Sequence, residues 1–408
     1  MDLVIAYLGS SKLLVLASIP VVSALVGWLT NWLAIKMTFY PVERVGPPLF
    51  GWQGIIPRNS ERIAARTVRL VTGQLFRVDD VIDRVDPRRL AAELEPVYDS
   101  ITDEIVEEVI STQSPAIWEL TPRPLKEQVQ QQVRRGLPDL VERIVGRRED
   151  LVELFDLEHL VLDNLTGQNK RLLNEMFLRC GRPEFRFIVR CGLYFGFLLG
   201  LLQSAVWVVA EAWWLLPVAG IIVGYLTNWI ALKMIFRPLL PRRFLVVTYQ
   251  GLFLRRQAEV SREYARLLAE RIIIPQKIVD ALVSGERAGR FIDLVHREVR
   301  RIVDEKTGLF RGVVLFAIGT ASYAQMKERV TRKVVELIPR YTHRAEAYWR
   351  EAMDLEETVF RRLSRLPPVE FEDVLHTCFK QDEWMLIAVG AVVGLVAGLL
   401  QALGLGLL

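Results

Sequence analysis

Apolar residues gather into four long stretches that carry almost no charge: Leu13–Ile35, Phe187–Ala210, Trp213–Ala231 and Trp384–Leu408. A bilayer core takes about 20 apolar residues as helix, so each stretch predicts a membrane-spanning helix. Met1–Ser11 lacks the basic start of a signal peptide, so the first stretch is read as a span as well. Between the stretches the pattern changes. Ile101, Ile105 and Val109 recur at helical spacing behind Ser100, a candidate N-cap, and Leu125, Val129 and Val133 do the same. Pro87, Pro96, Pro138, Pro275 and Pro339 read as breaks between such segments. Strand alternation is scarce, with Arg243–Tyr249 as one short extended candidate. Arg311–Gln325 is apolar but short for a span, and reads as a buried core helix or an interfacial one.

The chain also repeats itself. Gly27-Trp28-Leu29-Thr30-Asn31-Trp32-Leu33-Ala34-Ile35-Lys36-Met37 returns 197 positions on as Gly224-Tyr225-Leu226-Thr227-Asn228-Trp229-Ile230-Ala231-Leu232-Lys233-Met234. Phe39, Pro41 and Gln53-Gly54 likewise meet Phe236, Pro238 and Gln250-Gly251. One position further in register, Asp156-Leu157-Glu158 matches Asp354-Leu355-Glu356, and Gly192, Gly196, Gly200 and Gln203 match Gly390, Gly394, Gly398 and Gln401. An apolar helix does not by itself require Thr, Asn, Trp and Lys in one order twice, so a tandem duplication of a whole unit is expected.

The predicted fold is therefore all-α: an integral membrane protein with four transmembrane helices, two helical soluble inserts and a parallel tandem duplication. The expected segments are an N-terminal piece (1–12), helix 1 with its polar motif (13–38), a first insert (39–185), helix 2 (186–210), helix 3 with its polar motif (213–236), a second insert (237–383) and helix 4 (384–408). This order puts both inserts on one side of the membrane. Lys36, Arg44, Arg182, Arg186, Arg190, Lys233, Arg237, Arg242, Arg243 and Lys380 flank that side, against Lys12 on the other. The positive-inside rule then places the inserts in the cytoplasm and both termini outside.

Two sets of residues stand out. The first is Thr30, Asn31 and Lys36 with Gln53, and Thr227, Asn228 and Lys233 with Gln250, all near the basic end of the helices. Polar groups at membrane depth are costly unless paired or hydrated. In a structural reading the lysines snorkel and the asparagines pair across a helix interface. In a functional reading Asn31 and Asn228 face each other, and the lysines bind phosphate-bearing headgroups. The second set is Gly192, Gly196 and Gly200, and Gly390, Gly394 and Gly398. Glycine at every fourth position makes a smooth face for close helix packing.

Composition narrows the function. Net charge is +4, too small to imply nucleic acid. Cys180, Cys191 and Cys378 form no CxxC and imply no disulfide framework. The four histidines are scattered, and neither a metal spacing nor a catalytic motif is present. No catalytic residue, metal or cofactor is assigned. The expectation is a non-enzymatic membrane scaffold binding lipid, anionic lipid foremost, or a protein partner on the cytoplasmic side. A lipid or small-solute transporter, with its site between the repeats, is the alternative.

At the Gly-Trp-Leu-Thr-Asn-Trp-Leu-Ala-Ile-Lys-Met run followed by Gln-Gly, the chain resembles a bacterial membrane family known as domain of unknown function 445, over nearly its whole length. The shared residues are Asn31, Trp32, Lys36, Pro41, Gln53, Gly54 and Pro57, and the Gly200-Leu201-Leu202-Gln203 helix end. The second copy keeps Asn228, Trp229, Lys233, Pro238, Gln250 and Gly251, with Leu254 where Pro57 stands in the first. The resemblance implies a place in the bacterial cytoplasmic membrane and brings no activity with it.

Overall fold

The computed structural model describes residues 10–47, 51–75, 77–112, 115–166, 169–210, 212–244, 247–308, 319–373 and 383–404. Four helices in it are long and apolar enough to cross a membrane, with spans Val15–Phe39, Arg182–Ala210, Leu215–Phe236 and Glu383–Gly404. They are named α1 (Ser10–Phe39), α2 (Arg182–Ala210), α3 (Leu215–Phe236) and α4 (Glu383–Gly404). Each falls on a predicted stretch.

The chain packs as two compact units. The first comprises residues 1–70, 162–264 and 360–408, and so holds all four apolar helices. Here α1 packs along α2, and α3 along α4. The glycine faces explain both pairings. A β-carbon on Gly196 would stand 2.4 Å from the Ser23 carbonyl oxygen, and one on Gly394 2.0 Å from that of Gly220. Only glycine admits backbones this close. At the far end of the bundle, Val15, Ile19, Trp207, Leu216 and Ala402 from all four helices form one buried cluster. Gln203 accepts a hydrogen bond from the Ser23 hydroxyl at 3.0 Å, and the Gln401 amide reaches the Ser18 hydroxyl at 3.4 Å. Both glutamines are thus interface hydrogen-bonding groups, as expected of polar side chains held within a helical bundle.

The second unit comprises residues 71–161 and 265–359. The division differs from the expected boundaries. Residues 39–70 and 162–185 belong with the apolar helices, and the central parts of both intervening segments together make one unit. Its core joins Tyr98, Ile105, Leu137 and Leu140 to Phe291, Val295, Val299, Val334 and Leu337. The sequence explains the faces that meet. In helix Ala288–Thr307 the buried residues are Phe291, Leu294, Val295, Glu298, Val299 and Ile302, the i, i+3, i+4, i+7 stripe of an amphipathic helix. Asp86 caps the helix Pro87–Glu93, its carboxylate accepting from the Arg88 amide at 2.9 Å with proline at the first helical position.

Several local expectations are corrected. Pro138 and Pro339 do not break helices but lie inside Arg123–Gly146 and Thr320–Thr342. Each removes one backbone donor, yet Leu137 and Leu337 beside them stay buried in the core and hold the helix in place. Ser100 is not an N-cap, because its helix already starts at Tyr98. The short extended candidate is present as two strands: β1 (Arg242–Phe244) pairs antiparallel with β2 (Val247–Tyr249). The apolar run at 311–318 lies outside the described residues.

Candidate functional site at the basic end of the membrane helices

The polar motif divides into a buried half and an exposed half. Helical spacing sets the division, since Thr30 and Asn31 turn inward where Trp32 and Lys36 turn outward. Asn31 is fully buried, and its side-chain amide donates to the Ile188 carbonyl of α2 at 2.7 Å. Asn228 does the same toward the Leu386 carbonyl of α4 at 2.8 Å. Thr30 donates back to the Gly27 carbonyl at 3.1 Å, and Thr227 to that of Val223 at 2.8 Å. The asparagines therefore use their amides to tie α1 to α2 and α3 to α4 rather than to meet each other. These bonds satisfy donors that would otherwise be stranded among apolar helices, while the Asn31 Oδ1 is buried without a hydrogen-bond partner among the described residues.

The lysines are exposed. The Lys36 ammonium stands 5.9 Å from the Trp32 ring centroid and 5.2 Å from that of Tyr40. The Lys233 ammonium stands 5.9 Å from the Trp229 ring. Trp28 and Trp32 stack with centroids 6.4 Å apart. Amphipathic rings beside a cation on an outward face suit a membrane–water boundary.

Beyond each lysine the helix stops at a proline and the chain turns back. Tyr40-Pro41 and Arg237-Pro238 are both cis peptides. Gln53 donates its amide to the Val42 carbonyl at 2.8 Å, and Gln250 to that of Leu239 at 3.1 Å. The Gly54 and Gly251 amides donate to the carbonyls of Pro41 and Pro238 at 2.9 and 3.0 Å. A β-carbon on either glycine would lie 2.8 Å from the carbonyl carbon ending its helix, Phe39 or Phe236. Gln-Gly is thus a clasp that folds the chain onto the helix end. Val45 and Trp52 form a β-bridge across the first elbow, as Arg242 and Tyr249 do in the hairpin of the second.

Some residues of this region had no sequence signature. Glu184, buried at the base of α2, is held by Arg256 at 2.5 Å. A carboxylate at that depth requires a countercharge, but a partner 72 residues away follows no local period. Asn174 donates to the Phe39 carbonyl at 3.1 Å, and Glu372 faces Arg237 at 3.7 Å. Burial pushes the Cys180 thiol up to about 12, which keeps it protonated and a poor nucleophile. Among the described residues no group of three or more His, Cys, Asp or Glu is placed to hold a metal ion. Between the two helix pairs lies a cavity of about 40 Å³, lined by Ala34, Thr38, Phe39, Ile188, Asn228 and Leu386 among others.

The fold and this boundary motif define a multi-pass helical membrane protein. Residues 21–146 match the family described as protein of unknown function DUF445. Similarity also extends to UPF0754 membrane proteins. That of Staphylococcus epidermidis is 23% identical over 159 residues, 38% of each chain. That of Bacillus cereus is 28% identical over 142 residues, 33% of this chain and 36% of the relative. That of Synechococcus sp. is 26% identical over 178 residues, 40% and 41% of the two. The chain thus covers well under half the length of these curated relatives. The matches support a membrane protein of the DUF445 family. No solved structure matches.

Proposed function

We propose that this protein is a non-enzymatic scaffold of the bacterial cytoplasmic membrane that gathers anionic lipid at the basic end of its helices. Its intervening segments lie in the cytoplasm and offer surface to a protein partner. The observation that carries the reading is the pair of exposed ammonium groups, Lys36 and Lys233, each beside an outward tryptophan. Basic residues at an anionic leaflet contribute about 1 kcal/mol each, or about fivefold in binding. A tandem duplication accounts for the recurrence of the asparagine bond, the cis proline and the Gln-Gly clasp at both helix ends. Charge asymmetry supports the orientation, because Lys36, Arg186, Arg190 and Lys233 all fall at one end of their helices.

A scaffold is favoured over a transporter by the cavity between the helix pairs. At about 40 Å³ it has room for only a few water molecules. The NH2 groups of both buried asparagines donate to backbone carbonyls and are thereby committed to helix pairing.

The test is lipid retention by the purified full chain. Lys36→Gln with Lys233→Gln is expected to lower co-purifying anionic phospholipid more than Arg44→Gln with Arg243→Gln. Equal retention by the two double variants would reduce the lysines to ordinary boundary anchors.

A further inference from the structure

We infer that the outer face of the α1–α2 pair holds one acyl chain of an anionic phospholipid in a groove, in the leaflet marked by Arg190. The inference rests on the lipid-binding reading above and deepens it. The groove is walled by Val21 and Leu25 on α1 and by Leu193, Tyr194, Phe197 and Leu198 on α2. Its volume is about 440 Å³, within the roughly 300–1,000 Å³ of small-molecule clefts. Ala24 forms the floor, where Gly196 lets the two backbones approach to contact.

Three observations identify the occupant. The lining is apolar apart from one tyrosine, on two helices long and apolar enough to span a bilayer, so hydrocarbon is the surrounding medium. Arg190 sits one helical turn before Tyr194 and is exposed. From Arg190 to Ala210 is about 30 Å of helix, the thickness of a hydrocarbon core, so a core that ends at Ala210 has Arg190 at its other edge. The six residues Leu193–Leu198 then lie in the adjoining leaflet, along the path of a chain whose phosphate meets the guanidinium. Gly27 meets Gly192 across the interface, which sets exposed Trp28 near the level of Arg190, about one helical turn beyond Leu25. The corresponding positions of the second half lack the set: Ala388, Val392 and Leu395 stand where Arg190, Tyr194 and Phe197 stand here.

The test adds phosphatidylglycerol to delipidated full-length protein in maltoside detergent and counts bound lipids by native mass spectrometry. Leu25→Trp fills the groove from one wall and Leu198→Trp from the other; both side chains are exposed, so helix pairing is untouched. Each is expected to weaken the tightest lipid-binding step about tenfold, with an unchanged melting temperature. Ile222→Trp, at the matching place on α3, is expected to leave it unchanged. Equal binding by wild type, Leu25→Trp and Leu198→Trp overturns the groove, even if the Lys36/Lys233 variant loses lipid and the headgroup reading stands. Loss in the groove variants with none in the lysine variant keeps the groove and removes the lysines' role. Conversion of a dimer to a monomer by Leu25→Trp, without loss of lipid, also overturns it by giving the face to a second copy.

Discussion

Gly27 and Gly192 meet backbone to backbone: a β-carbon on the first would stand 2.2 Å from the carbonyl oxygen of the second, and the reverse distance is 2.1 Å. The nearest obstructing atom on each side is a main-chain oxygen, which cannot yield by turning a side chain. Gly192→Ala is therefore expected to force α1 and α2 apart, and Gly390→Ala to do the same between α3 and α4, where the Gly224 carbonyl oxygen lies at 2.5 Å. The same shift would stretch the Asn31–Ile188 and Asn228–Leu386 bonds, interhelical bonds of a kind that contributes about 0.6–2 kcal/mol. Lower yield and a lower melting temperature in detergent are the expected readout. Gly404→Ala, which meets nothing within 4 Å, should behave as wild type. Normal stability for Gly192→Ala would show that the helices do not pack this closely.

In the second unit, Lys333 is buried among Glu104 at 3.4 Å, Glu336 at 3.3 Å and Glu108. Burial alone raises the Glu104 pKa, but the Tyr341 hydroxyl, Arg340 and Lys333 outweigh it and hold the carboxyl below the usual range. A carboxylate with a depressed folded pKa stabilises above its unfolded value, about 4.3, and loses that contribution as pH falls through the folded value. Thermal stability is thus expected to fall on acidification below about pH 4. Lys333→Met leaves three carboxylates to repel one another, so the neutral-pH melting temperature should drop and its gap to the acid value should narrow. Melts of both proteins at neutral pH and about pH 3 check this; an unchanged gap would show that the network does not link protons to folding.

Orientation is open to direct measurement. A reporter inserted after Ala212, in the turn between α2 and α3, is expected to behave as extracytoplasmic. One inserted within Arg134–Arg148 should behave as cytoplasmic. The opposite pattern would reverse the proposed topology.

The parts legible in the sequence were those that obey a period or a threshold. Four apolar stretches became four helices, and glycine at every fourth residue marked where they touch. The pairing partner was less legible: Gly27 and Gly224 sit in the polar motif and attract attention to its Asn and Lys instead. The motif's division was hidden for a similar reason. Asn31 and Lys36 look alike as polar residues in an apolar run, yet one faces a backbone carbonyl and the other the boundary. Amphipathic stripes such as Phe291–Ile302 reveal that a face is buried but not against what. Long-range pairs such as Glu184 with Arg256 leave no trace in local spacing at all.

The shared core of residues 71–161 and 265–359 bears on how the chain is made. Its two contributing segments are separated by about a hundred residues that include α2 and α3. At roughly 5–20 residues per second of synthesis, the first segment waits about 5–20 s for its partner. During that interval Tyr98, Ile105, Leu137 and Leu140 lack the side of their core that Phe291, Val295, Val299, Val334 and Leu337 supply, and two membrane helices must insert before it arrives. Assembly of this unit is therefore coupled to membrane insertion by the order of translation, and a nascent chain stalled before residue 265 leaves one side of that core uncovered.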